Sequence, residues 1–400
     1  MSTAQHDSYD VVIVGGAIYG SAVAWWLTNT PGFQGRVLVV ERDPSYEFAS
    51  TSHTNSCIRQ QFSAPVNIRV SQFGAEFIKD FRNFLGGDPE VPELVLQSFG
   101  YMYLADTPEF AATLKEAQGI QAALGAGTRH MSRAEIAAAY PFYNLDDIIA
   151  GNHNLIDEGY FDGGTMFDWF KRMARRRGVE YIHDEVVAMT LNSAGTAVDS
   201  VTLKSGRRIA CGIVVNASGP RAAATAAMAG LALPVVPRRR YTFIFDAAHP
   251  LERDLPLTID PSGVHMRSDG KYYMVGCPPD EDADVAYDDF GFDHGIWENK
   301  VWPALAHRVP AFEQVKVINQ WVGHYAYNKL DQNAILGRHG KVANFVFVNG
   351  FSGHGLQQAP AIGRGIAELI AYGSYRSLDL SPFDYARVEQ GEKFFEKNVI

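Results

Sequence analysis

The first 41 residues contain the feature that most constrains the fold. Residues 9–14 are an apolar, β-branched run that a glycine ends, which predicts a buried strand. The turn GGAIYG (15–20) and a helix-like run at 21–27 follow, and a second apolar run, RVLVVE, covers 36–41. Strand, glycine turn, helix and strand in this order turn a glycine pattern into a dinucleotide-binding fingerprint. The chain is therefore expected to begin with a Rossmann-like unit.

Each position of this fingerprint has a physical role. Gly15 permits the tight turn, and Gly20 lets the helix lie close to the strand. The helix N-terminus presents free N–H groups to phosphates. Ala17 replaces the usual second glycine, and its methyl group narrows the approach of a pyrophosphate. Glu41 ends the second strand about 20 residues beyond Gly20, where an acidic side chain accepts hydrogen bonds from a ribose diol.

Composition excludes several classes of partner. The 400 residues carry a net charge of -10, whereas nucleic-acid binding rests on clustered positive charge. The same charge gives no reason to expect attachment to anionic membranes, and no apolar stretch is long enough to span one. Three scattered cysteines show no disulfide framework and no metal-ligand spacing, so no metal is expected. The polar N-terminus has none of the features of a signal or transit peptide, and a cytoplasmic location is predicted.

The rest of the chain favours FAD over NAD as the dinucleotide. A second glycine fingerprint for NAD(P)H is absent, because LGAGTRH (124–130) follows no β run. A pure NAD dehydrogenase should keep its βαβαβ halves contiguous. Here the sequence after Asp43 turns polar and loop-like before a helix predicted at 66–85. A helix at 162–178, a strand at 179–183 and a β-rich meander up to 219 come later.

A second glycine-rich segment lies near the C-terminus. NGFSGHGLQQAPAIG (349–363) follows the apolar run 345–348 and precedes apolar residues at helical spacing, with Pro360 near the first predicted turn. A plain turn needs one or two glycines, and this segment has more. The pattern indicates that a ligand approaches the backbone at the start of a helix.

The motifs together resemble the superfamily of FAD amine oxidoreductases that includes D-amino acid oxidase, sarcosine oxidase and glycine oxidase. The order of GGAIYG, VVNASG (214–219), PRRRYTFIF (237–245) and the last glycine loop carries the resemblance. WVGHYAYNKLDQNAILG (321–337) is most similar to the FAD-dependent oxidoreductase domain-containing protein branch. The resemblance implies an α/β (α+β overall) fold.

Two interleaved domains follow from this resemblance. The Rossmann-like FAD-binding domain is expected to use residues 1–75, 152–235 and 323–400. A mixed-sheet substrate domain is expected to use residues 76–151 and 236–322, with candidate strands at 94–104, 241–245 and 272–275. The glycine turns and the segments next to them are expected to contact FAD. They comprise Gly15, Gly16, Ala17, Ile18, Tyr19, Gly20, Glu41, Arg42, Ser52, His53, Val186, Val187, Ala217, Ser218, Gly219, Gly337, Gly350, Ser352, Gly353, His354, Gly355, Leu356 and Gln357.

The resemblance also implies candidate catalytic residues. Arg59, in CIRQQF, is similar to the arginine that holds the substrate carboxylate in sarcosine oxidase. Arg239 matches an arginine near the substrate in relatives, and strand alternation allows only part of the triplet 238–240 to face inward. His265 and His354 are candidates to bind substrate or move a proton. Tyr325 stands where glycine oxidase-like members carry a carboxylate-binding arginine.

The predicted function is FAD-dependent oxidation of a C–N bond, in a secondary, N-substituted or D-amino acid or amine. A hydride passes to flavin N5, and water hydrolyses the resulting imine. FAD is expected to be held non-covalently, with a covalent link at His53 as the alternative. O2, a quinone or a redox protein is the expected electron acceptor. Two other functions stay open: a 2-hydroxy acid dehydrogenase, and an assembly or interaction factor that FAD stabilises.

Overall fold

The computed structural model describes residues 3–397 of the chain. Over these residues, the strands build two eight-stranded sheets and one two-stranded pair. In chain order the strands are β1 (Ser8–Val14), β2 (Val37–Glu41), β3 (Cys57–Ile58), β4 (Tyr101–Ala105), β5 (Arg129–Ser132), β6 (Ala150–Asn154), β7 (Gly159–Tyr160), β8 (Glu180–His183), β9 (Val186–Leu191), β10 (Val198–Leu203), β11 (Arg208–Asn216), β12 (Val235–Ala247), β13 (Leu257–Ile259), β14 (His265–Asp269), β15 (Tyr272–Cys277), β16 (Val315–Asn328), β17 (Ile335–Arg338) and β18 (Phe345–Asn349).

Helices connect the strands and cover the sheets. The α-helices are α1 (Ile18–Asn29), α2 (Pro65–Lys79), α3 (Phe81–Phe84), α4 (Pro108–Ala123), α5 (Arg133–Ala139), α6 (Gly163–Arg176), α7 (Ala222–Ala227), α8 (Trp302–Arg308), α9 (Gly355–Tyr372) and α10 (Ala386–Gln390). None of the helices in this described part combines the length and apolarity that crossing a bilayer needs.

The first sheet has the order β17-β18-β11-β1-β2-β8. Strands β18, β11, β1, β2 and β8 run parallel, and β17 closes one edge antiparallel to β18. Strand β10 pairs with the first half of β11, and β9 pairs with β10, so these two strands extend the first sheet. The parallel strands are apolar and buried, as strands covered on both faces must be. The strands predicted at 9–14, 36–41 and 179–183 are confirmed.

Helices α1, α6 and α9 pack together beside this sheet. A Cβ on Gly20 would overlap the carbonyl oxygen of Gly15, so only glycine lets α1 start this close to β1. A Cβ on Gly363 would lie 2.8 Å from the Cβ of Ala22, so a second glycine brings α9 against α1. Trp25 of α1 is 1% exposed and fills the centre of this core.

The second sheet has the order β16-β12-β15-β14-β13-β4-β6-β5 and is antiparallel except for the β13–β4 pair. Its longest ladder joins β12 to β16, from Val235 opposite Asn328 to Ala247 opposite Val315. Phe243, Phe245 and their neighbours form the core under this ladder. The ladder brings residues 323–326 beside residues 237–240, two segments that are far apart in the sequence.

Three local predictions were wrong in detail. The helix predicted at 66–85 is divided into α2 and α3 at Asp80. The strand predicted at 94–104 begins only at Tyr101. Before it, Gln97 pairs with Tyr160 of β7, which belongs to the two-stranded pair and not to the second sheet. Pro360 is the sixth residue of α9 and not part of its first turn, since the glycines themselves begin the helix.

The mixed α/β architecture is confirmed, and the two sheets divide the chain in an interleaved order. The first sheet draws on 8–41, 180–216 and 335–349, and the second draws on 101–154 and 235–328. Strands β6 and β16 extend across the predicted boundaries at 151/152 and 322/323. The exact domain boundaries stay a prediction.

Candidate active site

A cavity of about 790 Å³ lies between the carboxyl ends of the first sheet and one face of the second. Gly15, Glu41 and Ala217 line it from the first sheet. Arg240 and His265 line it from the second sheet. Ligands of open α/β sheets bind beyond the carboxyl ends of the strands, so this cavity is the candidate site.

One end of the cavity is built by the glycine turn after β1. Gly15 has a φ of +96°, and a Cβ there would lie 2.6 Å from the carbonyl oxygen of Ala217. Helix α1 begins directly after this turn, and no side chain caps it from Ala17. The helix N-terminus therefore presents backbone N–H groups and the positive end of its dipole to the cavity.

Glu41 stands beside this turn at the end of β2 and is only 8% exposed. Its Oε2 accepts the Gly16 N–H at 2.7 Å, and its Oε1 accepts the Asp43 N–H at 2.8 Å. Burial raises the pKa of Glu41, and these two hydrogen bonds oppose the rise. The carboxylate lines the cavity next to Arg42, in the position the fingerprint assigns to a ribose-binding acid.

The loop before α9 builds another wall of the same cavity. Gly353 has a φ of +101°, and a Cβ there would overlap the ring of Tyr325. His354 precedes the helix and makes no side-chain cap. Its Nε2 is buried and has no hydrogen-bond partner among residues 3–397. The 18-residue helix α9 thus also opens an uncapped N-terminus into the cavity.

These features fit a flavin adenine dinucleotide. The cradle at Gly15 and the start of α1 suit a diphosphate, and Glu41 suits the adenosine ribose. The loop at Gly353 lines the cavity, and the N-terminus of α9 behind it suits negative charge on a ring system bound there. The fold and the site together define a flavin-dependent oxidoreductase.

Comparison with known proteins agrees with this class. The family profile of the FAD dependent oxidoreductases (DAO) matches residues 10–369, and the chain belongs to this family. The chain is 36% identical to the FAD-dependent oxidoreductase domain-containing protein 1 of Xenopus laevis over 423 aligned residues, which cover 98% of this chain and 85% of that protein. The predicted family and its FAD dependence are confirmed.

Solved structures share the fold. The L-proline dehydrogenase from P. horikoshii superposes with a TM-score of 0.84 at 26% identity, covering 97% of this chain and 99% of that one. The glycine oxidase from Geobacillus kaustophilus superposes with a TM-score of 0.78 at 21% identity, covering 95% and 98% of the two chains.

Arg59 lines the cavity and is 2% exposed. Its guanidinium lies 3.9 Å from the centre of the Phe62 ring and donates to the carbonyl oxygen of Gln61. Glu158, fully buried, holds the segment that carries Arg59. It accepts the Gln60 N–H at 2.6 Å and the Gln61 Nε2–H at 2.8 Å.

Two buried histidines line the same region. The Nε2 of His265 lies 2.8 Å from the Nδ2 of Asn55. Burial, with the charges of Arg240 and Arg267, lowers the pKa of His265 to about 4. Burial and the charge of Arg59 lower the pKa of His354 to about 3. Both imidazoles are therefore uncharged near neutral pH.

The structure corrects the choice among the three arginines of β12. Arg239 donates to the carboxylate of Asp289 and is not part of the cavity lining. Arg240 lines the cavity instead, and its guanidinium lies 4.6 Å from the centre of the Tyr325 ring. Adjacent side chains of a strand point to opposite faces, and the pairing of β12 with β16 decides which face meets the cavity.

Most of the predicted cofactor residues meet at this cavity, and their individual contacts with FAD stay predictions. The predicted residues that line it are Gly15, Ala17, Ile18, Tyr19, Glu41, Arg42, His53, Arg59, Val186, Ala217, Ser218, Gly219, His265, Tyr325, Ser352, Gly353, His354, Gly355, Leu356 and Gln357.

Six predicted cofactor residues lie outside the lining. Gly16 and Gly20 sit behind the first turn, where Gly16 donates to Glu41 and Gly20 contacts Gly15. Ser52 donates to the carbonyl oxygen of Tyr46 instead of facing the cavity. The other three lie away from the cavity: Val187 is 45% exposed on β9, Gly337 packs against Asp384, and Gly350 packs against Asn328 and Val235.

The structure adds lining residues that sequence reasoning missed. Asn55, Tyr101 and Arg221 belong to segments near recognised motifs. Tyr287 and Phe290 come from the segment 278–291, whose many aspartates gave no sign of contact with the site. No group of three or more His, Cys, Asp or Glu side chains within the described residues could hold a metal ion.

Proposed function

We propose that this chain oxidises the C–N bond of a small amine or amino acid that carries a carboxylate. Secondary or N-substituted amino acids and D-amino acids are the favoured substrates. The observation that carries the proposal is the buried guanidinium of Arg59 in the same cavity as the loop before α9. The likeness to an L-proline dehydrogenase, named for a secondary amine substrate, supports it.

The chain's own groups would bind and orient the substrate. Arg59 offers a charge-assisted hydrogen bond to the carboxylate in a site with little water. Tyr325 stays protonated at neutral pH because burial raises its pKa, so its hydroxyl can donate to the substrate. Bound FAD would accept the hydride from the carbon next to the nitrogen, and water would then hydrolyse the imine.

The uncharged histidines favour an amine over a hydroxyl as the oxidised group. Oxidation of a 2-hydroxy acid needs an efficient base for the hydroxyl proton, with a pKa near the working pH. The pKa values of His265 and His354, about 4 and about 3, are far below that. Because both histidines are uncharged, they also place no positive charge beside the amine.

We further propose that the chain would hold FAD non-covalently and that O2, a quinone or a redox protein would serve as the electron acceptor. The Nδ1 of His53 lies 3.2 Å from the carbonyl oxygen of Ala49. Trichloroacetic acid precipitation distinguishes the two forms of attachment. FAD released into the supernatant supports non-covalent binding, whereas yellow precipitate supports a covalent link.

The test is anaerobic reduction of the FAD-loaded protein by candidate substrates, measured as the loss of flavin absorbance. Proline, N-methylglycine and D-alanine are compared with lactate. Amine substrates should bleach the flavin, and Arg59→Lys should raise the KM by at least about tenfold. The control is Arg239→Lys, because Arg239 lies outside the lining.

Two outcomes would overturn the proposal. Bleaching by lactate alone would show a 2-hydroxy acid dehydrogenase. Stable binding of FAD without bleaching by any compound would favour an assembly or interaction factor.

A further inference from the structure

Residues 280–291, called the strap below, lie between β15 and α8 and form part of the cavity wall without belonging to either sheet. Tyr287, Phe290 and Gly291 of the strap line the cavity, yet none of its residues is buried. Among residues 3–397, the one backbone hydrogen bond that joins it to a strand runs from the Val285 N–H to the carbonyl oxygen of Pro237, at 3.0 Å. Side chains therefore do most of the work of holding the strap in place.

One side of the strap is joined to β12 and to the end of β16 by ion pairs. Asp282 accepts from Arg238 at 3.1 Å and from Arg240 at 2.7 Å and 3.1 Å. Asp284 accepts from Arg238 at 3.3 Å and from Lys329, which follows β16, at 2.7 Å. Both aspartates lie outside the cavity lining, so they fasten the strap without facing a ligand.

Asp289 adds another attachment on the same side. Its carboxylate accepts from Arg239, and the Nε2 of His324 lies 2.8 Å from its carbonyl oxygen. Arg239 and His324 lie opposite each other in the β12–β16 ladder. The ring of the next residue, Phe290, stacks on the His324 ring with 4.0 Å between their centres. Arg239, predicted as catalytic but outside the lining, therefore acts on the cavity through the strap.

The other side of the strap meets segments that follow strands of the first sheet. The guanidinium of Arg221, after β11, lies 5.2 Å from the centre of the Tyr287 ring. The ring of Phe48, after β2, lies 4.8 Å from that of Phe290, centre to centre. Arg221 and Phe48 both line the cavity. The strap therefore crosses the cavity beside the turns that suit the adenosine diphosphate part of FAD.

We propose that the strap retains FAD in the cavity, and that FAD enters or leaves when the strap detaches from β12. This rests on the non-covalent binding of FAD proposed above. Segments with few backbone hydrogen bonds and few buried side chains open at a low cost in free energy. The strap has both properties, so its ion pairs to β12 set how often it opens.

The attachments of the strap to β12 join two groups of the protein and do not include FAD. Weakening them therefore favours the open strap by the same factor with and without FAD. Association and dissociation of FAD should both accelerate, and their ratio, the Kd, should change little. Damage to the FAD site itself would raise the Kd instead. The two rates together thus separate a retaining strap from an altered binding site.

The test is the double variant Asp282→Asn/Asp284→Asn, which removes the ion pairs to Arg238, Arg240 and Lys329. Association is followed by flavin fluorescence after FAD is mixed with FAD-free protein, and dissociation by capture of the FAD that the loaded protein releases. Both rates should rise at least about fivefold, with the Kd within about twofold of its original value. Hydrogen exchange, measured by mass spectrometry, should accelerate in residues 280–291.

Asp269→Asn is the matched control. Asp269 accepts from Arg267 at 2.8 Å in the second sheet, and its side chain is 32% exposed, close to the 29% of Asp282. This ion pair does not include the strap. Both rates, and hydrogen exchange in residues 280–291, should therefore stay as they are in the unmodified protein.

Unchanged rates in the double variant would overturn the inference, because FAD would then pass without detachment of the strap. Faster dissociation with unchanged association would also overturn it, since the aspartates would then belong to the binding site. FAD that stays in the acid precipitate would overturn both this inference and non-covalent binding. Unchanged rates in protein that releases its FAD into the supernatant would overturn this inference alone.

Discussion

Gly15 connects the conformation of a single residue to the proposed binding of FAD. Its φ of +96° is a left-handed conformation that side chains adopt at a cost. The space for a Cβ is already filled by the carbonyl oxygen of Ala217, in the turn after β11. A side chain at position 15 would therefore strain the backbone and push apart the two turns that flank the diphosphate end of the cavity.

We expect Gly15→Ala to abolish tight FAD binding and to lower the free energy of unfolding by about 1–3 kcal/mol. The measurements are the ratio of flavin to protein absorbance and urea unfolding. Gly32→Ala is the control, because Gly32 has a similar φ of +85° with open space around it. It should lose stability but keep FAD. Normal FAD content in Gly15→Ala would contradict the assignment of the first turn.

Glu158 is a buried residue whose charge state should appear in the stability of the protein. Burial raises its pKa from 4.5 to about 7, and hydrogen bonds from Gln61, Gln60 and Asn154 oppose the rise. In the unfolded chain the carboxyl loses its proton near pH 4.5. In the folded chain it keeps the proton until near pH 7. Between these values the folded state binds more protons, so stability falls as the pH rises.

We therefore expect the unmodified protein to lose about 3 kcal/mol from this group between pH 4 and pH 8. Glu158→Gln lacks the titration. The free energy of unfolding of the unmodified protein, minus that of Glu158→Gln, should fall by this amount in urea titrations over the same range. Glu76→Gln, on the exposed face of α2, should show no such change. A constant difference across the range would contradict the raised pKa.

At the scale of elements, α2 obtains its N-terminal cap from the far end of the chain. It begins at Pro65, and the preceding Ala64 has no side chain that can cap it. Glu396 instead accepts the N–H of Ser63 at 2.7 Å and of Ala64 at 3.1 Å, and it also binds the Nδ2 of Asn67 at 2.9 Å. Local sequence could not predict this cap, because more than 300 residues separate the partners.

We expect Glu396→Ala to lower the free energy of unfolding by about 2–4 kcal/mol, since it leaves several buried donors unsatisfied. Hydrogen exchange should accelerate in the first turn of α2, as measured by mass spectrometry. Glu392→Ala is the matched control on the exposed part of the same tail and should change neither quantity. Equal effects of the two substitutions would show that the tail, and not this carboxylate, holds α2.

Elements with strong local patterns were predictable. Strand β1, helix α1 and strand β2 follow from apolar runs and from glycines whose conformation is needed at those positions. The start of α9 follows from its glycines for the same reason. The position of Pro360 within α9 and the break between α2 and α3 were not predictable, because packing against other elements overrides local preference there.

At the scale of the whole molecule, the two sheets bring opposite charges together that the sequence keeps apart. A net charge of -10 does not indicate where cationic side chains gather. The folded chain nevertheless places Arg59 and Arg240 in one cavity and pairs the aspartates of residues 278–291 with the arginines of β12. The positions of these charged side chains at the site are therefore set by the tertiary arrangement.

The sequence by itself determined the dinucleotide turn, the second glycine loop and the family, because backbone conformation and hydrophobic periodicity act over a few neighbouring residues. Only the tertiary structure decided that Arg240, not Arg239, lines the cavity, since the pairing of β12 with β16 sets which side chains face inward. It also decided the protonation of His265 and His354, because burial among distant residues lowers their pKa values.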